Sequence, residues 1–124
     1  MPLKTKRIAM VRGDTRKIQL QILNPYTGAV VNPTGAKLWF TAKRNVSDSD
    51  TDAIFQKTET NGISIVTAST GIIDVQIEPS DTAALSAVNH TLFYDAQIRT
   101  AAGEVLTFQS GPLLVAVEAT RATS

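Results

Sequence analysis

Along most of this chain, apolar and polar residues alternate with a period of two. Between Thr15 and Leu23, Arg16, Ile18, Leu20 and Ile22 fall on one side, while Thr15, Lys17, Gln19 and Gln21 fall on the other. Ala36, Leu38, Phe40 and Ala42 alternate in the same way with Lys37, Trp39, Thr41 and Lys43. So do Ile73, Val75 and Ile77 with Asp74, Gln76 and Glu78, and Leu92, Tyr94, Ala96 and Ile98 with Phe93, Asp95, Gln97 and Arg99. Successive side chains leave a strand on opposite faces, so each run predicts a strand with one buried face and one wetter face. Shorter runs at 8–12, 53–58, 63–66, 105–109 and 113–118 predict further strands.

Turn chemistry separates these runs. Asn24-Pro25-Tyr26-Thr27-Gly28 and Asn32-Pro33-Thr34-Gly35 combine a proline that presets φ with a glycine that tolerates positive φ. Asn61-Gly62 is a hairpin signal, and Ser69-Thr70-Gly71 and Ala101-Ala102-Gly103 close two more connections. One helical turn is predicted near 80–88, after Pro79, with Ser80 or Asp81 capping it and Leu85 entering the core. Seven to nine short strands with turns every 8 to 12 residues predict an all-β, antiparallel β-sandwich, ranked ahead of a barrel. The predicted organisation is an N-terminal arm at 1–7, a sandwich domain at 8–118 and a C-terminal tail at 119–124.

Composition narrows the function classes. The 124 residues make one domain, large enough for a single core. There is no cysteine and one histidine, His90, which leaves few ways to build a thiolate metal site or acid–base catalysis. The expectation is a protein that is not an enzyme and carries no cofactor. No run approaches the roughly 20 apolar residues of a membrane-spanning helix, so no membrane partner is expected. The net charge of +1 hides an asymmetry. Residues 1–44 hold nine of twelve basic residues and one acid, a net +8; residues 45–124 hold three basic residues and ten acids, a net −7. Without interleaved aromatics this does not make a single-strand nucleic-acid surface, and nucleic acid is not the expected partner. Paired strands can neutralise the two halves within the fold, and opposite patches can also set register between copies.

Four features carry candidate chemistry. Asp48, Asp50 and Asp52, followed by Glu59, occupy positions 1, 3, 5 and 12 of a calcium-loop pattern. Ala53 stands where that loop needs glycine, and a solvated acidic loop accounts for the same residues. Arg12-Gly13-Asp14 spells an integrin-binding triplet, but it lies between two predicted strands, where Gly13-Asp14 reads as a bend or bulge. His90 with Asp95 and a nearby serine would make the parts of a small hydrolase, without the glycine pattern of a nucleophile elbow. Trp39 falls on the polar side of its strand between Lys37, Thr41 and Lys43, and Phe93 poses the same question among Asp95 and Gln97. Each is either an interface anchor or covered by a neighbouring segment.

The order of these signals resembles a family. Arg12-Gly13-Asp14-Thr15 precedes an alternating strand, and Pro33-Thr34-Gly35-Ala36 leads to Leu38-Trp39-Phe40-Thr41-Ala42-Lys43 and an acidic loop. Thr70-Gly71-Ile72-Ile73 opens a strand, and Glu78-Pro79-Ser80-Asp81-Thr82 leads into the helical turn and then Tyr94-Asp95-Ala96-Gln97-Ile98. Gly103-Glu104-Val105-Leu106-Thr107 and Gly111 precede the last apolar strand. Over residues 8–118 this is similar to the immunoglobulin-like β-sandwich domain of tailed-bacteriophage virion proteins, such as the N-terminal domain of baseplate upper proteins. The resemblance implies a structural role: a capsid decoration or cement protein, or a neck, tail or baseplate accessory, acting by protein–protein docking. It implies other virion proteins as partners, a homo-oligomer or symmetric multi-copy assembly, and residence in the virion after assembly in the host cytoplasm. In that reading the interface residues are Lys4, Lys6 and Arg7 of an arm reaching a neighbour, with Trp39 and Phe93, and Tyr94 lies in the region of the tyrosine corner. The alternative is a glycan- or receptor-binding module, with Trp39 or Tyr26 as stacking platforms and the loop at Asp48–Asp52 as polar or calcium contacts.

Overall fold

The four alternating runs form strands because each has one continuous apolar side to bury. Ile18, Leu20 and Ile22; Leu38, Phe40 and Ala42; Ile73, Val75 and Ile77; and Leu92, Tyr94, Ala96 and Ile98 are all buried, in the computed structural model that describes residues 4–119. Among the described residues eight strands result: β1 (Ile8–Val11), β2 (Arg16–Gln21), β3 (Lys37–Lys43), β4 (Phe55–Thr58), β5 (Ile63–Thr67), β6 (Ile72–Ile77), β7 (His90–Arg99) and β8 (Val105–Ala116). They build a five-stranded sheet in the order β1-β8-β7-β3-β4 and a three-stranded sheet in the order β2-β6-β5. The inward faces enclose one core, in which Phe40 stacks on Tyr94 with ring centroids 5.0 Å apart and on Phe55 at 6.2 Å. The chain is an all-β sandwich. Its β2-β6-β5 layer packs against the layer that holds β8, β7 and β3.

Three expectations need correction. The sandwich is not wholly antiparallel, because β1 pairs with β8 in parallel, Ile8 opposite Leu113. The two strands expected at 105–109 and 113–118 are one twelve-residue strand that runs through Gly111. A Cβ on Gly111 would meet the Lys6 carbonyl oxygen and carbon, so glycine here admits the backbone of the N-terminal segment against the strand. That segment is the third correction. Lys6 N–H donates to the Ser110 carbonyl at 2.9 Å, Ser110 N–H donates to the Lys4 carbonyl at 3.0 Å, and the Tyr94 hydroxyl donates to the Lys6 carbonyl. Residues 4–6 thus lie along their own β8 instead of reaching away. The Tyr94 hydroxyl serves this segment and also accepts from Gln109, so it makes no tyrosine corner.

The helical turn α1 (Pro79–Ala83) is shorter than the 80–88 expected. Glu78, not Ser80, is its N-cap, and Asp81 accepts the Glu78 N–H at 2.7 Å in a capping box. Leu85 enters the core as expected. Arg12 ties this end together: its guanidinium pairs with Glu118 at 2.8 Å and donates to the carbonyls of Ala83 and Leu85. With Gly13 at φ +82 between β1 and β2, Arg12-Gly13-Asp14 forms a bend whose arginine is held within the fold. The expected tail at 119–124 lies almost wholly outside the described residues.

Candidate docking surface

The outward face of the larger sheet is made by the side chains that alternation turns away from the core. Trp39 on β3 stands opposite Thr58 of β4 and Gln97 of β7, and Thr41 stands opposite Gln56 and Asp95. Two adjoining grooves cross this face. One, of about 410 Å³, runs past Trp39, Gln56, Asp50, Gln97 and Val105. The other, of about 240 Å³, runs past Val46, Phe93, Thr107 and Ser110. Thr41, Lys43 and Asp95 line both. Phe93 is 41% exposed and Val105 60%, while Trp39 is half-buried. The two aromatic interface candidates therefore share one face.

Charge at the centre of the face is arranged unevenly. The Lys43 ammonium contacts Asp50 at 2.9 Å and donates to the Asp48 carbonyl at 2.8 Å. The Lys43 hydrogen bond holds the Asp50 carboxyl below its ordinary value. Asp95 is different. Burial against the strand neighbours raises its carboxyl above the ordinary value of 3.8, the attraction of Lys43 opposes this, and Asp50 adds to it. The side chain of Asp95 has no hydrogen-bond donor among the described residues, although Gln56 and Gln97 beside it donate to Thr41 at 3.0 Å and to Thr107 at 3.1 Å. A half-buried acceptor flanked by Trp39 and Phe93 is suited to a donor or cation brought by something else.

The remaining candidates are dispersed. Lys4, Lys6 and Arg7 are exposed, and none of them lines either groove; Arg7 instead borders a separate cleft with Ala9 and His90. The calcium reading fails on geometry. Asp48 caps the Asn45 N–H at 3.3 Å, Asp50 holds Lys43, and Asp52 accepts from Ser49 at 3.1 Å. Strand β4 carries Glu59 away to the Leu38 N–H at 2.9 Å, a bond that lowers its carboxyl. Among the described residues, no group of three or more such side chains is placed to hold a metal ion. His90 has Nε2 at 3.0 Å from the Ser86 carbonyl and 3.3 Å from its hydroxyl. Asp95 lies five residues further along the same strand and so on the opposite face, which separates the parts of the supposed triad. Tyr26 is exposed on its turn and lines neither groove.

Sequence reasoning placed Asp95 on the correct face but missed its depth. It also missed Lys57, which alternation turns inward from β4 to Asp81 of α1 at 2.7 Å. Two of the ion pairs, Arg12–Glu118 and Lys43–Asp50, join the basic first third of the chain to the acidic remainder. Part of the charge asymmetry is thereby neutralised inside one fold. No model of a known protein family matches the chain, and no curated protein matches it in sequence.

Proposed function

We propose that this chain is a non-enzymatic structural protein of a tailed-phage virion, a decoration, neck, tail or baseplate accessory that docks on other virion proteins. The observation that carries docking is the outward face of the larger sheet, where Trp39, Phe93 and Val105 border grooves lined by Asp95, a half-buried carboxylate that accepts no hydrogen bond among the described residues. Aromatic anchors beside a polar group that lacks its donor are the features of a surface completed by a partner. The virion setting rests on the order of motifs in the sequence. Two measurements test the two halves. Cryo-EM of the particle produced with this chain should show sandwich density on its surface, and particles lacking the chain would overturn the virion role. Trp39→Ala and Phe93→Ala should each reduce incorporation into particles by at least about tenfold, as loss of an anchor does. Full incorporation of both variants would move the docking surface elsewhere.

One observation favours a second reading. The larger groove sets the Trp39 ring beside Gln56, Gln97, Asp50 and Asp95, the pairing of a stacking face with polar groups that recognises a sugar. Binding on a glycan array that disappears in Trp39→Ala would favour this module; an array without binding would remove it.

A further inference from the structure

Strand register lays out the outward face of the larger sheet in rows. Trp39, Gln97 and Thr107 share one row, Thr41, Asp95 and Ser110 the next, and Lys43, Phe93 and Pro112 the third. Successive rows on one face are two residues apart, about 7 Å along the strands. Asp95 therefore stands between two short side chains, with a row holding an aromatic ring on either side of it. Trp39 is half-buried and Phe93 is exposed, so both rings keep surface open to a partner.

The cation of this face is already committed. Lys43 is held by Asp50 at 2.9 Å and by the Asp48 carbonyl at 2.8 Å, so the acidic loop draws it off the row of Asp95. Gln56 and Gln97 each commit an amide N–H to a threonine hydroxyl, Thr41 and Thr107. The charged groups lining the two grooves are Lys43, Asp50 and Asp95. The first two neutralise each other, and one carboxylate is left over. A neutral sugar would leave that charge uncompensated, and an ammonium would meet it only as a point charge. A guanidinium is planar, carries five N–H donors and stacks on aromatic faces, so it matches both the carboxylate and the rings beside it.

Resting on the docking reading above, we propose that the protein partner places an arginine side chain in this groove, its guanidinium paired with Asp95 and stacked on Trp39. The Gln97 amide oxygen, in the Trp39 row, accepts a further N–H. Phe93 and Val105, 41% and 60% exposed, supply apolar surface that the partner covers. Covering it excludes water from the ion pair, which strengthens the pair and makes the arginine an anchor instead of a rim contact. Lys43 cannot take this place while Asp50 and the Asp48 carbonyl hold it, so the chain alone leaves Asp95 to a cation from outside.

Titration of the full chain with N-acetyl-arginine methylamide, followed through the backbone amide and Trp39 indole N–H resonances, tests it. Binding should saturate with a Kd of about 1–10 mM, the range for a ligand of so few atoms, and should shift resonances at 39–43 and 93–97. The citrulline analogue has the same shape without the charge and should bind at least about tenfold more weakly. Asp95→Asn should weaken the arginine probe by a similar factor while remaining folded. Equal binding of the two probes, no saturation, or shifts confined to other residues would overturn the proposal. So would a dimer of the chain alone that Asp95→Asn dissociates, which would make a second copy the occupant. Particle incorporation separates this inference from the docking reading. Full incorporation of Asp95→Asn with depletion of Trp39→Ala would overturn the arginine and leave docking on this face intact. Full incorporation of every variant, with selective binding of the arginine probe, would overturn docking and leave the groove's preference standing.

Discussion

Lys57 and Lys43 each hold an aspartate from neighbouring strands of the same sheet, at 2.7 and 2.9 Å. By distance the two pairs are nearly equal, and by environment they are opposites. Lys57 projects inward from β4, its side chain 6% exposed, and meets Asp81 where α1 follows the smaller sheet, so the pair links the two layers. Lys43 projects outward from β3 to an aspartate whose side chain is 69% exposed. Charges removed from water must be paired, because an ion left alone there costs several kcal/mol, whereas water substitutes for a lost partner on the surface. The comparison separates a pair that holds the fold together from one that furnishes a face for contact.

The largest expected effect breaks the inner pair. Lys57→Met keeps the apolar stem that lies against Gly62 but leaves the Asp81 carboxylate facing the interior without its cation. The loss should be about 3 kcal/mol, the lower end of the range for breaking a buried pair, since Asp81 keeps some exposure and still accepts the Glu78 N–H. Urea unfolding measures it. A midpoint shift corresponding to less than about 1 kcal/mol would mean that the inner pair behaves like a surface pair.

The parts of the molecule that local pattern reveals are those whose causes are local. Ile18, Leu20 and Ile22 are buried because a strand's period is two, and that is visible in five residues. Gly71 ends its turn in the left-handed region, as Ser69-Thr70-Gly71 predicts. Lys57 is a different case. The same alternation puts it beside Phe55, but nothing near it in sequence says that Asp81 waits above it. Gly111 looked like the end of a strand because the approach of Lys6 is a contact between the two ends of the chain. The spacing of Asp48, Asp50, Asp52 and Glu59 suggested convergence. A 3-10 turn at Asp50–Asp52 and the direction of β4 sent the four carboxylates to different partners. The candidate face was half legible: Trp39, Phe93 and Asp95 are correctly outward, while how deep each sits depends on β4, β8 and the acidic loop around them.

Asp95 sharpens the comparison, because it is an outward group with an inward group's difficulty. Its carboxyl is raised above 3.8 by burial, so the folded chain holds this proton to a higher pH than the unfolded chain does. Below 3.8 both states are protonated and the residue costs nothing. As pH rises from there through the raised folded value, the folded state must ionise a poorly solvated group, and stability falls; above that window the full cost remains. Asp95→Asn should therefore stabilise the isolated chain at neutral pH and raise its Tm, and the gain should disappear in acid. Thermal unfolding at pH 7 and pH 3 reads both. A gain that persisted at pH 3 would assign it to packing instead of charge.

The smallest expected effect belongs to the outer pair. Lys43→Ala removes the ion pair with Asp50, the hydrogen bond to the Asp48 carbonyl and the attraction that partly offsets the burial of Asp95. Asp50 loses a cation but keeps water, so the stability change should stay below about 1 kcal/mol. The ionic share of that change should shrink further in about 1 M salt, where screening acts over a few ångströms. The hydrogen bond to the acidic loop is not screened, and its loss should leave a residual cost visible as faster amide exchange at 45–52. Unfolding curves for Lys43→Ala and Lys57→Met in low and high salt put the two lysines side by side. Salt should narrow the gap between Lys43→Ala and the unaltered chain and leave the Lys57→Met deficit nearly as large. Equal deficits for the two variants would mean that burial does not distinguish the pairs, and the outward face would then belong to the fold instead of to a partner.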